Sequence, residues 1–159
     1  MNTPHLFNTR LVWKKNEEPK SQVTKRVYTK NHQILIEGKP TLDISAAKAF
    51  KGDPSKLNPE DLLLSSLTSC HMMSYLYCCT INKIDIIEYK DFSEAILDVN
   101  PDGSGKITKV ILNPEVIISD PLQIELALSL HKKANELCFI ANSCNFIIEH
   151  QAKCIAKTI

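Results

Sequence analysis

Asn58-Pro59-Glu60-Asp61-Leu62-Leu63-Leu64-Ser65-Ser66-Leu67-Thr68-Ser69-Cys70-His71 is the stretch on which the fold turns. Asn58 is a helix-capping residue type, and Pro59 suits the first helical position, where a missing N–H costs nothing. Glu60 and Asp61 place acid in the first turn, where the positive end of the helix dipole favours it. From Leu62 to about position 81 the chain is apolar nearly all round, with small Ser65, Ser66, Ser69 and Ser74 permitting close approach of neighbours. Such a helix is buried on most sides. A chain of 159 residues is one domain by size and rarely surrounds a helix unaided. The excess of apolar surface predicts a dimer in which this helix packs on its symmetry mate.

Outward from that helix the chain reads as strands. Positions 6–14 and 26–37 alternate apolar and polar residues with β-branched or aromatic side chains, and Glu37-Gly38-Lys39-Pro40 is a turn into a short strand at 41–44. Positions 46–57, with Gly52 and Pro54, read as a loop. On the other side, 84–99 and 106–118 are two longer strands joined through the turn-rich Asn100-Pro101-Asp102-Gly103-Ser104-Gly105. Asp120-Pro121 repeats the cap-and-proline signal and opens a second helix over 122–137, and 146–156 closes the chain as a strand. The order βββ-α-ββ-α-β predicts an α+β fold of antiparallel sheets with two main helices. It forms a single domain over 1–159, with an N-terminal meander at 1–45 and a helix-sheet core at 58–159.

Composition narrows the function. The formal net charge is +1 and the lysines are scattered, so there is no electrostatic footprint for nucleic acid or an anionic membrane. No run of about 18 apolar residues occurs and the first residues lack a leader pattern, which predicts a cytoplasmic protein. Six cysteines in that compartment stay reduced, leaving packing, metal binding or redox chemistry. There is no C-x-x-C pair, and a zinc site built from Cys70, His71, Cys78, Cys79 or His131 would lack the usual close ligand pairs. Neither metal nor organic cofactor is expected. Cys78, Cys79, Cys144 and Cys154 read as small core hydrophobes, with Cys144 the one competitor for the role of Cys138.

Cys70 and Cys138 stand apart because each lies in a helix-like stretch of similar composition, the second being Ala134-Asn135-Glu136-Leu137-Cys138-Phe139-Ile140-Ala141-Asn142-Ser143. Two such cysteines point to a buried redox pair. Its nucleophile must be a thiolate, and a thiol of pKa ~8.5 is only about 3% ionised at neutral pH. Burial raises the pKa further, so a cation or hydrogen-bond donors must stand beside Cys70, and an acid must hold that cation. Glu60 is the natural acid, but ten residues of straight helix separate it from Cys70 by ~15 Å. A long cation, a broken helix, or service across a dimer interface would each bridge that gap; the interface is favoured. Cys138 is the candidate resolving thiol, and His71 and His131 read as hydrogen-bonded core or interface histidines.

The motif from Asn58 to Leu64, Ser69-Cys70-His71-Met72-Met73, Leu130-His131 and the stretch around Cys138 together resemble the OsmC/Ohr family, the osmotically inducible and organic hydroperoxide resistance proteins. Val12-Trp13, Tyr28 to His32, Phe50-Lys51-Gly52-Asp53 and Glu88 to Asp91 extend the resemblance over most of the chain. It implies an intertwined α+β homodimer with two interface sites. These sites reduce organic hydroperoxides or hydrogen peroxide, with Cys70 as peroxidatic cysteine, Cys138 as its resolving partner and Glu60 as the acid. An external dithiol of lipoyl or thioredoxin type would then restore the pair.

One departure matters. Related sequences carry an arginine in a Tyr-Ser-Arg-x-His setting, where this chain has Tyr28-Thr29-Lys30-Asn31-His32. Lys30 supplies charge without the planar fork that grips a carboxylate and a sulfur together. Arg26, four residues earlier on an extended chain, is displaced by ~13 Å, so Lys30 is the expected cation. The substitution predicts a weakened or retuned peroxidase, or a protein that binds a small apolar ligand in the same dimeric fold.

Overall fold

The computed structural model describes residues 3–15 and 28–157. Two compact units divide the chain, Met1–Leu62 and Leu63–Ile159. In the first, β1 (Arg10–Val12), β2 (His32–Leu35) and β3 (Leu42–Ile44) form an antiparallel meander in that order. The described strands are shorter than the 6–14 and 26–37 segments expected, and Arg26 lies outside the described residues. After β3, the loop over 46–57 contains one 3-10 turn, Lys48–Phe50. Gly52 is obligatory there, because a Cβ on it would stand 1.6 Å from the backbone oxygen of Ala46.

The long helix α1 runs Pro59–Ile81, as its start signals require. Asn58 Oδ1 accepts from the Asp61 N–H at 2.8 Å and Asp61 Oδ2 accepts from the Asn58 N–H at 3.2 Å, a reciprocal cap that satisfies two otherwise orphaned donors. At the far end Lys83 takes the left-handed conformation (φ 55°), and the Ile84 N–H returns to the Cys79 carbonyl at 2.9 Å, closing the helix as a Schellman turn.

The second unit departs from the expected strand count. The segments 84–99, 106–118 and 146–156 each break into two: β4 (Ile86–Asp91) and β5 (Glu94–Val99), β6 (Gly105–Leu112) and β7 (Pro114–Ile118), β8 (Ile147–His150) and β9 (Lys153–Ala156). The breaks coincide in space. Asp91 Oδ1 accepts from the Asn113 N–H at 2.9 Å, Asn113 Nδ2 donates to the Phe92 carbonyl at 2.9 Å, and the Gln151 N–H reaches the Leu112 carbonyl at 2.8 Å. Three strands thus bend together and feed two three-stranded sheets, β4-β7-β9 and β5-β6-β8.

The sheets are mixed rather than antiparallel, because β8 pairs parallel with β6 and β9 parallel with β7. The intervening helices carry the chain across before it pairs, which is the connection a parallel neighbour needs. Those helices are α2 (Ile124–Leu137), preceded by a 3-10 turn at Pro121–Gln123, and a short α3 (Phe139–Asn142) that the sequence reading did not foresee.

Two buried clusters lie along α1. Leu67 packs with Val110, Leu112, Cys138 and Ala141, whereas Tyr75, Cys78 and Cys79 pack with Val116, Ile118, Ala127, Leu130 and Ala134. Among the described residues no helix is long and apolar enough to cross a membrane.

Candidate active site

Cys70 sits on the half-buried side of α1, where it packs against the cluster that contains Cys138. Cys138 is not helical, contrary to the expectation. It occupies the junction between α2 and α3 in an extended conformation (φ −74°, ψ 110°), where its Sγ accepts the Ala141 N–H at 3.4 Å as the cap of α3. The extended cap makes a sharp corner after Leu137, and that corner holds the side chain in the core beside Cys70.

The two thiols interact, and their surroundings differ. Cys138 is fully buried and Cys70 half-buried. Burial pushes the Cys138 thiol up to about 11, and the neighbouring Cys70 thiol adds to the rise. Cys138 is therefore held protonated near neutral pH. Charge on the more exposed sulfur loses less solvation, so the arrangement favours Cys70 as the nucleophile. Cys144, two residues beyond α3, has a thiol raised by burial alone. All six cysteines are free.

The other two expected site residues belong to the first unit. Lys30 is exposed, and its ammonium donates to the Phe50 carbonyl, which fastens it to the 3-10 turn. Glu60 is half-buried on the first turn of α1, with Oε2 buried and without a hydrogen-bond partner among the described residues. A carboxyl oxygen left in that state favours the approach of a donor.

His71 and His131, set aside in the sequence reading as core histidines, are buried and bonded to each other at 3.1 Å. His150, which carried no sequence signal, completes a cluster with them. Their isolated positions in the sequence gave no spacing rule by which to find the group. No set of three or more His, Cys, Asp or Glu among the described residues is arranged to hold a metal ion.

A cleft of about 440 Å³ opens on another side of α1, against β4, with Thr68, Ser69, Met72, Tyr89, Asp91 and Ser93 in its wall. Asp91 is fixed there by Ser93 Oγ at 2.8 Å and Tyr89 Oη at 3.3 Å.

The profile of the OsmC-like protein family matches residues 52–152, well over half of the chain. The chain belongs to the OsmC-like family. Among solved structures, an OsmC-like protein of unknown function from Vibrio cholerae superposes with a TM-score of 0.82 at 25% identity, covering 94% of this chain and 99% of that one. An organic hydroperoxide resistance protein from Elizabethkingia anophelis, crystallised with thiocyanate, gives 0.72 at 17% identity, over 99% and 100% of the two chains. The organic hydroperoxide resistance protein OhrB of Bacillus subtilis gives 0.64 at 20% identity, over 92% and 98%. A search of curated proteins finds no match. The α+β architecture of this OsmC-like chain is thus that of the OsmC and organic hydroperoxide resistance structures.

Proposed function

We propose that this OsmC-like protein is a homodimeric, cytoplasmic thiol peroxidase that reduces organic hydroperoxides. The observation that carries the reading is the packing of half-buried Cys70 beside the fully buried Cys138, whose thiol burial raises. The Cys70 thiolate attacks the outer peroxide oxygen, the O–O bond breaks, and the alkoxide takes a proton and leaves as an alcohol. Cys70 is then a sulfenic acid. Cys138 gives up its proton and attacks that sulfur, releasing water and forming the Cys70–Cys138 disulfide. An external dithiol returns two electrons and two protons to the pair. The water released carries the outer peroxide oxygen and leaves beside the alcohol, so no metal or organic cofactor enters the scheme.

Glu60 and Lys30 are proposed to complete the site as acid and cation. The unpartnered Oε2 of Glu60 supports a role beyond the helix dipole. Lys30 holds its charge on a fixed turn through the Phe50 carbonyl. As a single ammonium so engaged, it has fewer donors to offer a sulfur than a guanidinium would, which fits a retuned peroxidase. The test follows loss of cumene hydroperoxide in the presence of reduced protein and of Cys70→Ser. The wild type is expected to consume one equivalent without reductant and to become lighter by two hydrogens, with peptide mapping joining residues 70 and 138. Equal consumption by the two proteins removes Cys70 from the mechanism.

A further inference from the structure

A column of four rings crosses the core of the Leu63–Ile159 unit. Tyr75 stacks on His131 with centroids 4.0 Å apart and planes 9° from parallel. His131 and His71 lie edge to edge, with centroids 5.4 Å apart and planes 14° from parallel, and His71 meets His150 at 4.6 Å and 33°. His71 Nε2 and His131 Nδ1 share one hydrogen bond of 3.1 Å. The outer nitrogens, His71 Nδ1 and His131 Nε2, have no partner among the described residues, and neither does His150 Nε2. Buried polar atoms are ordinarily paired. Three apolar side chains would fill this space without that penalty, so packing alone does not account for the cluster.

Its position does. His71 follows Cys70 on α1, and His131 lies on α2, whose last residue, Leu137, precedes Cys138. Tyr75 Oη adds a second tie between the two helices, donating to the Ala127 carbonyl at 3.2 Å. We propose that the His71–His131 pair, braced by His150, is the positioning device that holds Cys70 against Cys138 for disulfide closure, and that it holds only while the column is uncharged. This rests on the thiol-pair reading of the site.

The charge condition follows from the surroundings. A first proton on the bare outer nitrogen of the pair keeps the shared hydrogen bond but puts a full charge into an apolar column. A second leaves two N–H groups facing each other. Burial opposes both steps, as does the nearness of His150 to His71 and His131. From β4, the Asp91 carboxylate favours a proton on His150, against burial. Tyr89, also on β4, and the thiols of Cys79 and Cys154 beside Tyr75 are all raised by burial and stay neutral. Among the described residues Asp91 is thus the one acidic group that eases protonation, and it acts at the His150 end. Opening the column exposes the histidines to water, where protons bind near pH 6.5. Each histidine so released favours the open form tenfold per pH unit below that value.

The experiment measures closure of the pair with oxidised dithiothreitol, which makes it independent of peroxide. Cys70 attacks one probe sulfur to give a mixed disulfide. Cys138 then displaces the reduced probe, two electrons and two protons passing from the cysteines to the probe. Closure rates of wild type, His131→Gln and His131→Phe are followed by alkylation and mass from about pH 8 down to about pH 4.5, a range over which thiolate supply falls in all three alike. Gln retains a bonding partner for His71 without titrating, whereas Phe retains the stack and loses the bond. Wild type and His131→Gln are expected to close at similar rates at about pH 8, with His131→Phe slower by about tenfold. Below about pH 6.5 the wild type should fall away more steeply than His131→Gln. Equal rates for His131→Phe and wild type, parallel pH profiles, or no closure in wild type would overturn the proposal.

Should the variants fail to fold, ring NMR of the wild type decides. Histidines 71 and 131 are expected to take up protons only where closure is lost, and ordinary titration without change in closure overturns the clamp. A protein that closes under this control yet leaves hydroperoxide untouched sinks only the peroxidase reading.

Discussion

Two sulfurs in contact are chemically unequal when one is sealed in the core and the other reaches its edge. Cys138 is raised to about 11 by burial and by its neighbour, so near neutral pH it is a proton donor rather than a competing nucleophile. Substituting it with serine should therefore leave the first half of the reaction intact. Cys138→Ser is expected to react once with hydroperoxide and stop at a Cys70 sulfenic acid, which a 1,3-diketone traps as a stable adduct visible by mass. Cys70→Ser should give no adduct at Cys138, and equal labelling of the two variants would contradict the assignment of roles. At this scale the sequence was informative about identity and poor about geometry. The composition around Cys138 read as helix because Ala, Asn, Glu and Leu favour one on either side. The corner that positions the sulfur depends on a cysteine acting as the cap of α3, a use of sulfur that no capping preference announces.

Among the elements, α1 was legible from end to end, since its cap, its proline and its acidic turn are local signals that tertiary packing had no reason to override. The strands were legible as segments but not as strands. Their shared bend rests on the Asp91–Asn113 and Gln151–Leu112 hydrogen bonds, long-range contacts that periodicity along one segment does not contain. The histidines that join α1, α2 and β8 give these elements a common acid sensitivity. Burial holds His71 down to about 3 and His131 down to about 4, so in the fold both are neutral. The unfolded chain binds protons from pH ~6.5 downward, whence this contribution to stability is complete above that value and is lost progressively as pH falls toward the folded values. Between about pH 6.5 and about pH 5 the loss amounts to ~2 kcal/mol for each histidine. Urea midpoints at the two ends of that interval should fall accordingly, and replacing His131 with Phe should flatten the dependence. A midpoint that stays constant would show that the rings are already charged or exposed in the native state.

For the molecule as a whole, the face of α1 left bare in a single chain argues for its own complement. Met73, Tyr77 and Ile81 follow one another at four-residue spacing and are 57%, 59% and 60% exposed. That spacing stacks them into one stripe about two turns long. The sequence anticipated a helix covered on most sides, and one chain alone leaves this side uncovered. The proposed covering is the second copy of the chain. A carboxylate placed in the middle of such a seam would be buried without a partner, at a penalty of several kcal/mol per ion and twice per dimer by symmetry. Tyr77→Glu is therefore expected to sediment as a monomer at concentrations where the wild type is a dimer. Its Cys70–Cys138 pair, which lies within one chain, should still close with a disulfide probe. Hydroperoxide turnover should drop with dissociation if the interface supplies part of the site, and should persist if each chain is self-sufficient. A wild type that sediments as a monomer, or a Tyr77→Glu variant that remains dimeric, removes the stripe from the interface.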